Sequence, residues 1–206
     1  MPYQFHNNKN MNKEKLIDQV KKAFENELYV GDNNIVYNNS PEHLECSELK
    51  KAFIGQNWQD VTHDTIFNNK DSLPFFSIDG LKYYTPSFII DILNDYYEAD
   101  TLPDNLISLL TLPQEIDTVI MAKDIKKFAL DEQVPGFDFE QFLYNQLDTT
   151  NERVNKFIQW ANLFNDEQKK LIYQFLQYID DKFSNEYGFN PVKPKIAIER
   201  YWFQFM

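Results

Sequence analysis

SIDGLKYYTPSFIIDILNDYYEAD, residues 77–100, is the densest aromatic and aliphatic run in the chain, and it is broken once, by Pro86. Ser77 suits an N-cap and Asp79 the first turn that follows. Proline removes one backbone donor, so the stretch predicts two helical pieces that kink or restart at Pro86, with Thr85 as the second cap. Apolar residues fall on most sides of those pieces, which predicts burial on most sides. Gly80 is a poor helix former and marks a place where another segment can pack close. Such a run is a core, and it sets the fold class: mainly α, an irregular helical bundle in one domain, with at most a short strand pair near residues 35–37.

The flanking sequence supports helices on both sides. Residues 1–11 read as a flexible N-terminal arm ahead of one α-rich domain over 12–206, with residues 115–150 as a variable insertion. Leu16, Val20, Phe24 and Leu28 recur every fourth residue and predict a helix over 12–28 capped by Asn12. Gly31, Asp32, Asn33 and Asn34 are turn chemistry, and Ile35–Tyr37 is strand-like. Ser40-Pro41 predicts a cap and first turn for a helix to Ile54 that buries Leu44, Cys46, Leu49 and Phe53, with Gly55 as its stop. Thr62 caps a short helix carrying Ile66 and Phe67, and residues 68–74 form a loop. Helices follow over 102–110, 115–130, 138–147 and 151–163. Asn165 with Gln168 is a capping box, and Leu171, Ile172, Phe175, Leu176 and Ile179 give the clearest apolar face. Gly188 and Pro191 end that helix, and residues 195–205 form a last docking helix.

The chain has 206 residues, 43% hydrophobic and 16% aromatic, enough to bury a sizeable core without a disulfide or metal staple. Cys46 is the only cysteine, so no internal disulfide exists, and this fits a reducing, cytoplasmic compartment. No run approaches the roughly 18 to 20 apolar residues of a membrane span. A net charge of −12 argues against nucleic acid, whose phosphates need clustered Lys and Arg. It favours a basic protein partner and can speed that encounter. Lysine pairs such as Lys21–Lys22 and Lys126–Lys127 sit beside acids and read as solvated helix faces.

Several anchors, in order, carry a resemblance: Ala23-Phe24, Tyr29 with Gly31 to Val36, Glu45-Cys46 with Glu48, then Phe53, Gly55 and Trp58. Tyr83-Tyr84 with Pro86, Asp100 with Asp104, and Gln168 with Phe175-Leu176 complete them. In these the chain resembles DUF6714, a bacterial domain family of unknown function, over roughly residues 16–179, most of one domain. Val30 replaces that family's usual proline, Asn33 its second aspartate and Thr85 a usual leucine. The resemblance implies one domain and supplies no activity or site residues.

The polar stretch from Gly31 to Cys46, with His63 beyond it, is the candidate site: Asp32, Asn33, Asn34, His43, Glu45, Cys46 and His63. On a helix starting at Pro41, His43 and Cys46 share a face, and His63 or Asp32 could complete a metal site. The same residues could form a thiol enzyme with Cys46 as nucleophile and a histidine as base. Against both, the chain has three histidines and one cysteine, in no recognised metal or cysteine-enzyme spacing. A lone helical cysteine is more often a small buried residue. Glu42, Glu45 and Glu48 read as a solvated acidic face. Asp32 closes its turn. Tyr83, Tyr84, Phe88, Tyr96 and Tyr97 could line a pocket, but helical spacing favours core packing. No Gly-rich phosphate loop or nucleophile elbow is present.

The expectation is therefore a non-catalytic cytoplasmic interaction module without a cofactor, an immunity- or antitoxin-like acidic binder of a basic protein. The alternative is a metal-assisted hydrolase or small-ligand enzyme using Asp32, His43, Cys46 and His63, which requires those four to converge on a cleft.

Overall fold

The computed structural model describes residues 12–184 and 193–206. The expected N-terminal arm and the helix stop at Gly188 and Pro191 lie outside the described residues. The 77–100 stretch contains one helix, α4 (Ile78–Asn94), and twelve of its seventeen residues are buried. Ser77 caps it through a bond accepted from Gly80 N. It does not break at Pro86, contrary to the expected two pieces. Packing on most sides holds it continuous despite the missing donor, and Thr85 donates its hydroxyl back to the Leu81 carbonyl at 2.6 Å instead of capping.

The described residues contain nine further helices: α1 (Lys13–Phe24), α2 (Leu44–Phe53), α3 (His63–Asn68), α5 (Leu102–Leu109), α6 (Glu115–Lys127), α7 (Phe139–Asp148), α8 (Thr150–Asn162), α9 (Asp166–Phe183) and α10 (Pro194–Arg200). Short 3-10 turns sit at Asp32–Asn34, Trp58–Asp60, Lys70–Phe75 and Trp202–Phe205. Helices α1, α3, α5 and α8 and the Trp58 turn pack on α4, while α9 joins α1 to α10 and the last turn. The described residues contain no strand. The expected strand pair is a single antiparallel bridge, Val36 to Phe76.

The core is aromatic, and backbone carbonyls satisfy the polar tips of three of its rings, whereas Trp160 Nε1 is buried without a partner among the described residues. Trp58 Nε1 donates to Phe24, Trp202 Nε1 to Leu110, and Tyr84 Oη reaches the carbonyls of Phe53 and Gln56. Burial pushes the Tyr84 phenol well above its usual range. Tyr83, Tyr84 and Phe88 are all buried, as expected of a core, while Tyr97 is exposed.

Three boundaries differ from expectation. Helix α1 ends at Phe24, so Leu28 is exposed rather than part of the buried stripe. Helix α2 starts three residues after Pro41 with His43 as its cap, and this leaves Leu44 exposed. Asn38 accepts from Ser40 N and Ser40 Oγ from Glu42 N, so local side-chain turns hold the chain out of the helix until His43. The final stretch is α10 followed by a 3-10 turn, not one helix. No helix among the described residues is long and apolar enough to cross a membrane.

Candidate functional site

The seven sequence candidates occupy separate settings. Asp32 opens its 3-10 turn and accepts a 2.5 Å bond from Tyr29 Oη, which in turn accepts from Gly55 N. Asn34 donates to the Val30 carbonyl, and Asn33 Oδ1 and Asn39 Oδ1 both receive the Lys50 ammonium at 3.0 and 2.8 Å. These contacts tie the loop to α2, and the turn itself is closed by Asn34 N on the Gly31 carbonyl while the Asp32 side chain receives Tyr29 Oη.

His43 is spent at the start of α2. Its Nδ1 accepts from Cys46 N at 3.4 Å, and its Nε2 lies 2.7 Å from Tyr37 Oη. The tautomer with hydrogen on Nε2 satisfies both contacts. Glu45 Oε2 lies 3.4 Å from Nδ1. Cys46 is fully buried, and its Sγ faces the Phe75 carbonyl at 3.8 Å. His43 and Cys46 therefore do not present a shared ligand face. No group of three or more His, Cys, Asp or Glu among the described residues is arranged to hold a metal ion.

His63 is elsewhere, in a cleft of about 760 Å³ walled by α1, α3, α4 and the Trp58 turn. None of Asp32, His43 and Cys46 lines it. Thr62 caps α3 and fixes His63 in its first turn. His63 Nδ1 lies 3.0 and 3.2 Å from the two oxygens of Asp91, a residue in the middle of α4. The histidine side chain is 46% exposed and the aspartate 9%. Burial pushes the Asp91 carboxyl up and the histidine bond opposes this. The same bond to Asp91 raises the His63 imidazole, with desolvation acting against it. Both groups hold protons more tightly than in water, and the imidazolium is the charge that keeps Asp91 ionised. The cleft floor includes Trp58, Val61 and Ile66, and the α1 side carries Asp18, Lys21, Lys22 and Glu25.

The sequence names His63 among the chemically able residues but not its partner Asp91. Its signal was a lone carboxylate between Ile90 and Ile92, in the most apolar run of the chain. A buried acid needs a partner, and that requirement alone points to a histidine or a cation across the fold.

A second exposed feature lies at the other end of the chain order. Helices α6 and α7 form a hairpin in which α7 buries no residue at all. Among the described residues, eight of the seventeen large apolar side chains that stand exposed fall in the hairpin and its connection, including Ile116, Val119, Phe128, Val134, Tyr144 and Leu147. Eight carboxylates and three lysines accompany them over residues 115–148. Arg200 of α10 fixes the base of the hairpin, with both terminal nitrogens 2.8 Å from Asp117 oxygens and one 3.0 Å from the Leu112 carbonyl.

No family model, curated protein or solved structure matches the chain. Phe24, Phe53, Trp58, Tyr83, Tyr84 and Pro86 are buried and Gly31 holds a positive φ, so each has a structural role.

Proposed function

We propose that this protein is a non-catalytic interaction module of the cytoplasm, an acidic binder of a basic protein in the manner of an immunity protein or antitoxin. The observation that carries this is the α6–α7 hairpin, whose outer helix has no buried residue while apolar side chains stand among an excess of carboxylates. Exposed apolar side chains grouped in this way and rimmed by charge mark interaction surfaces. The matching partner presents an apolar face bordered by Lys and Arg, with the net charge of −12 steering the encounter.

The test is capture from the native host with the full chain at low and at high salt, with cross-linking to locate the contact. A basic protein cross-linked to the hairpin, weakened by salt and lost in Phe128→Asp and Tyr144→Asp, supports the proposal. Retention of the same proteins by both variants, or cross-links only elsewhere, would overturn it. Self-association lost in the same variants would replace the basic partner with a second copy of this chain.

A further inference from the structure

His63 has one committed ring nitrogen and one uncommitted. Its Nδ1–H is held by the Asp91 carboxylate, which fixes the tautomer and leaves Nε2 on the far side of the ring without a hydrogen-bond partner among the described residues. The ring lines the cleft with Lys21 and Lys22, neither of which makes an ion pair among the described residues. Two other donors of the lining are already used: Ser87 Oγ bonds the Trp58 carbonyl at 2.6 Å, and Trp58 Nε1 bonds the Phe24 carbonyl. The volume falls in the range of small-molecule sites.

We propose that this cleft binds a small molecule bearing an oxyanion, a carboxylate or a phosphate group, through His63 Nε2 and the ammonium groups of Lys21 and Lys22. The apolar part of the ligand lies on Trp58, Val61 and Ile66. Asp91 is a positioning residue: buried and ionised, it turns the imidazole so that a charged N–H faces the cleft. Asp18 of α1 and Glu25 at its C-cap offset the two lysines and Asp91 offsets the imidazolium, so an anion is held by the aimed donors, His63 Nε2–H and the two ammonium groups, and not by a net positive charge. Asp64 on α3 and Glu98 beyond α4 are the remaining acids that act on the imidazolium. The Asp91 bond keeps the imidazolium to higher pH than in a free histidine, so binding persists to higher pH than a free histidine would allow and is lost as the ring deprotonates.

The experiment follows the His63 imidazole signals of the full chain by NMR during titration with sulfate and, separately, acetate. Neither probe changes charge between about pH 6 and pH 8.5, and chloride holds the ionic strength. A saturable shift with Kd of ~1 mM, weakened roughly tenfold at the higher pH, is expected. Saturation by sulfate alone identifies a phosphate-like ligand, by acetate alone a carboxylate, and by both the shared chemistry. Lys21→Ala and Lys22→Ala weaken binding several-fold, and Asp91→Asn moves the loss of binding to lower pH. The absence of a saturable shift up to about 30 mM, or a shift unaffected by both lysine substitutions, overturns the proposal. His63→Gln gives the expected loss of binding, measured by calorimetry. If that variant fails to fold, the wild-type pH pair and the lysine variants decide.

Discussion

A Cβ placed on Gly80 would lie 2.2 Å from the carbonyl oxygen of Ile35. The first turn of α4 meets the Asp32–Ile35 loop backbone to backbone. Ser77 N donates to that same carbonyl at 2.9 Å, Ser77 Oγ bonds the Asn34 carbonyl, and Val36 bridges Phe76. The contact joins the turn after α1 to the central helix.

Gly80→Ala therefore tests a close approach rather than helix propensity. Alanine is the better helix former, by about 1 kcal/mol, but here the obstacle is backbone that cannot swing aside. The expected net effect is destabilisation of about 3 kcal/mol or more, read as a lower urea midpoint at unchanged slope. Gly55→Ala is the control. Nothing lies within 4 Å of its Cβ, yet its φ is +70°, so only the left-handed conformation is penalised, by about 1 to 2 kcal/mol. Equal losses at the two positions would show that the approach to Ile35 is not the obstacle.

Gln168 is a polar side chain 1% exposed in an otherwise apolar face of α9. Its Oε1 accepts from Asn165 N to close the capping box, while its Nε2 donates to the Ala23 carbonyl at 3.1 Å and to Glu27 at 2.7 Å. Glu27 also pairs with Lys82 of α4. One amide thus ties α9, the end of α1 and α4 together. Gln168→Ala removes three part-buried bonds at once, and the expected loss is about 2 to 3 kcal/mol by chemical denaturation. A loss under about 0.5 kcal/mol would mean that the box contributes only as a surface cap does.

Which features could be read from sequence follows from the range of the interactions that make them. Caps are local: Asn12, Thr62, Ser77 and Asn165 were legible because each oxygen bonds an amide two or three residues on. The Gly31–Asn34 turn was legible for the same reason. The start of α2 was not, because two consecutive side-chain turns at Asn38 and Ser40 outcompete the Ser-Pro signal. Pro86 misled because burial on most sides outweighs one lost donor. The candidate site was read as one polar stretch because Asp32, His43 and Cys46 are close in sequence. The fold spends those three on a turn, a cap and the core, and gives His63 a partner 28 residues away. Pairings of that range leave no local trace except an acid in an apolar run.

The His63–Asp91 pair sets a pH dependence whose sign can be worked out. His63 is raised above its ordinary 6.5, so its contribution to stability is complete below that value and is lost as pH rises through the higher folded value. Asp91 is raised above 3.8, so the folded state binds its proton more tightly and stability again declines as pH rises from there through its folded value. The two act in the same direction in separate windows. The His63 window is the neutral one, and because the ring is half-exposed solvent screens part of the effect. The wild-type urea midpoint is expected to fall between about pH 6 and pH 8.5, and His63→Gln is expected to flatten that fall. Parallel profiles for the two proteins would place the titrating group elsewhere.

Trp202 closes the bundle from the end of the described chain, fully buried, with its Nε1 2.6 Å from the Leu110 carbonyl that ends α5. Its ring packs edge-on against Phe157 of α8 and Tyr201, and tilted against Phe205. Two effects are superposed in this residue and two substitutions separate them. Trp202→Phe keeps most of the apolar contact but removes the donor, leaving the α5 carbonyl without it at a cost of about 1 to 3 kcal/mol. Trp202→Ala loses the donor and also opens a cavity among α5, α8 and α9, for a total of about 3 to 5 kcal/mol. If the indole serves mainly as filler, phenylalanine will be nearly neutral and alanine will carry the whole loss. If the bond to Leu110 holds α5 in register, phenylalanine will already account for a third or more of the loss, with the near-ultraviolet dichroism of the remaining aromatics changed in both variants.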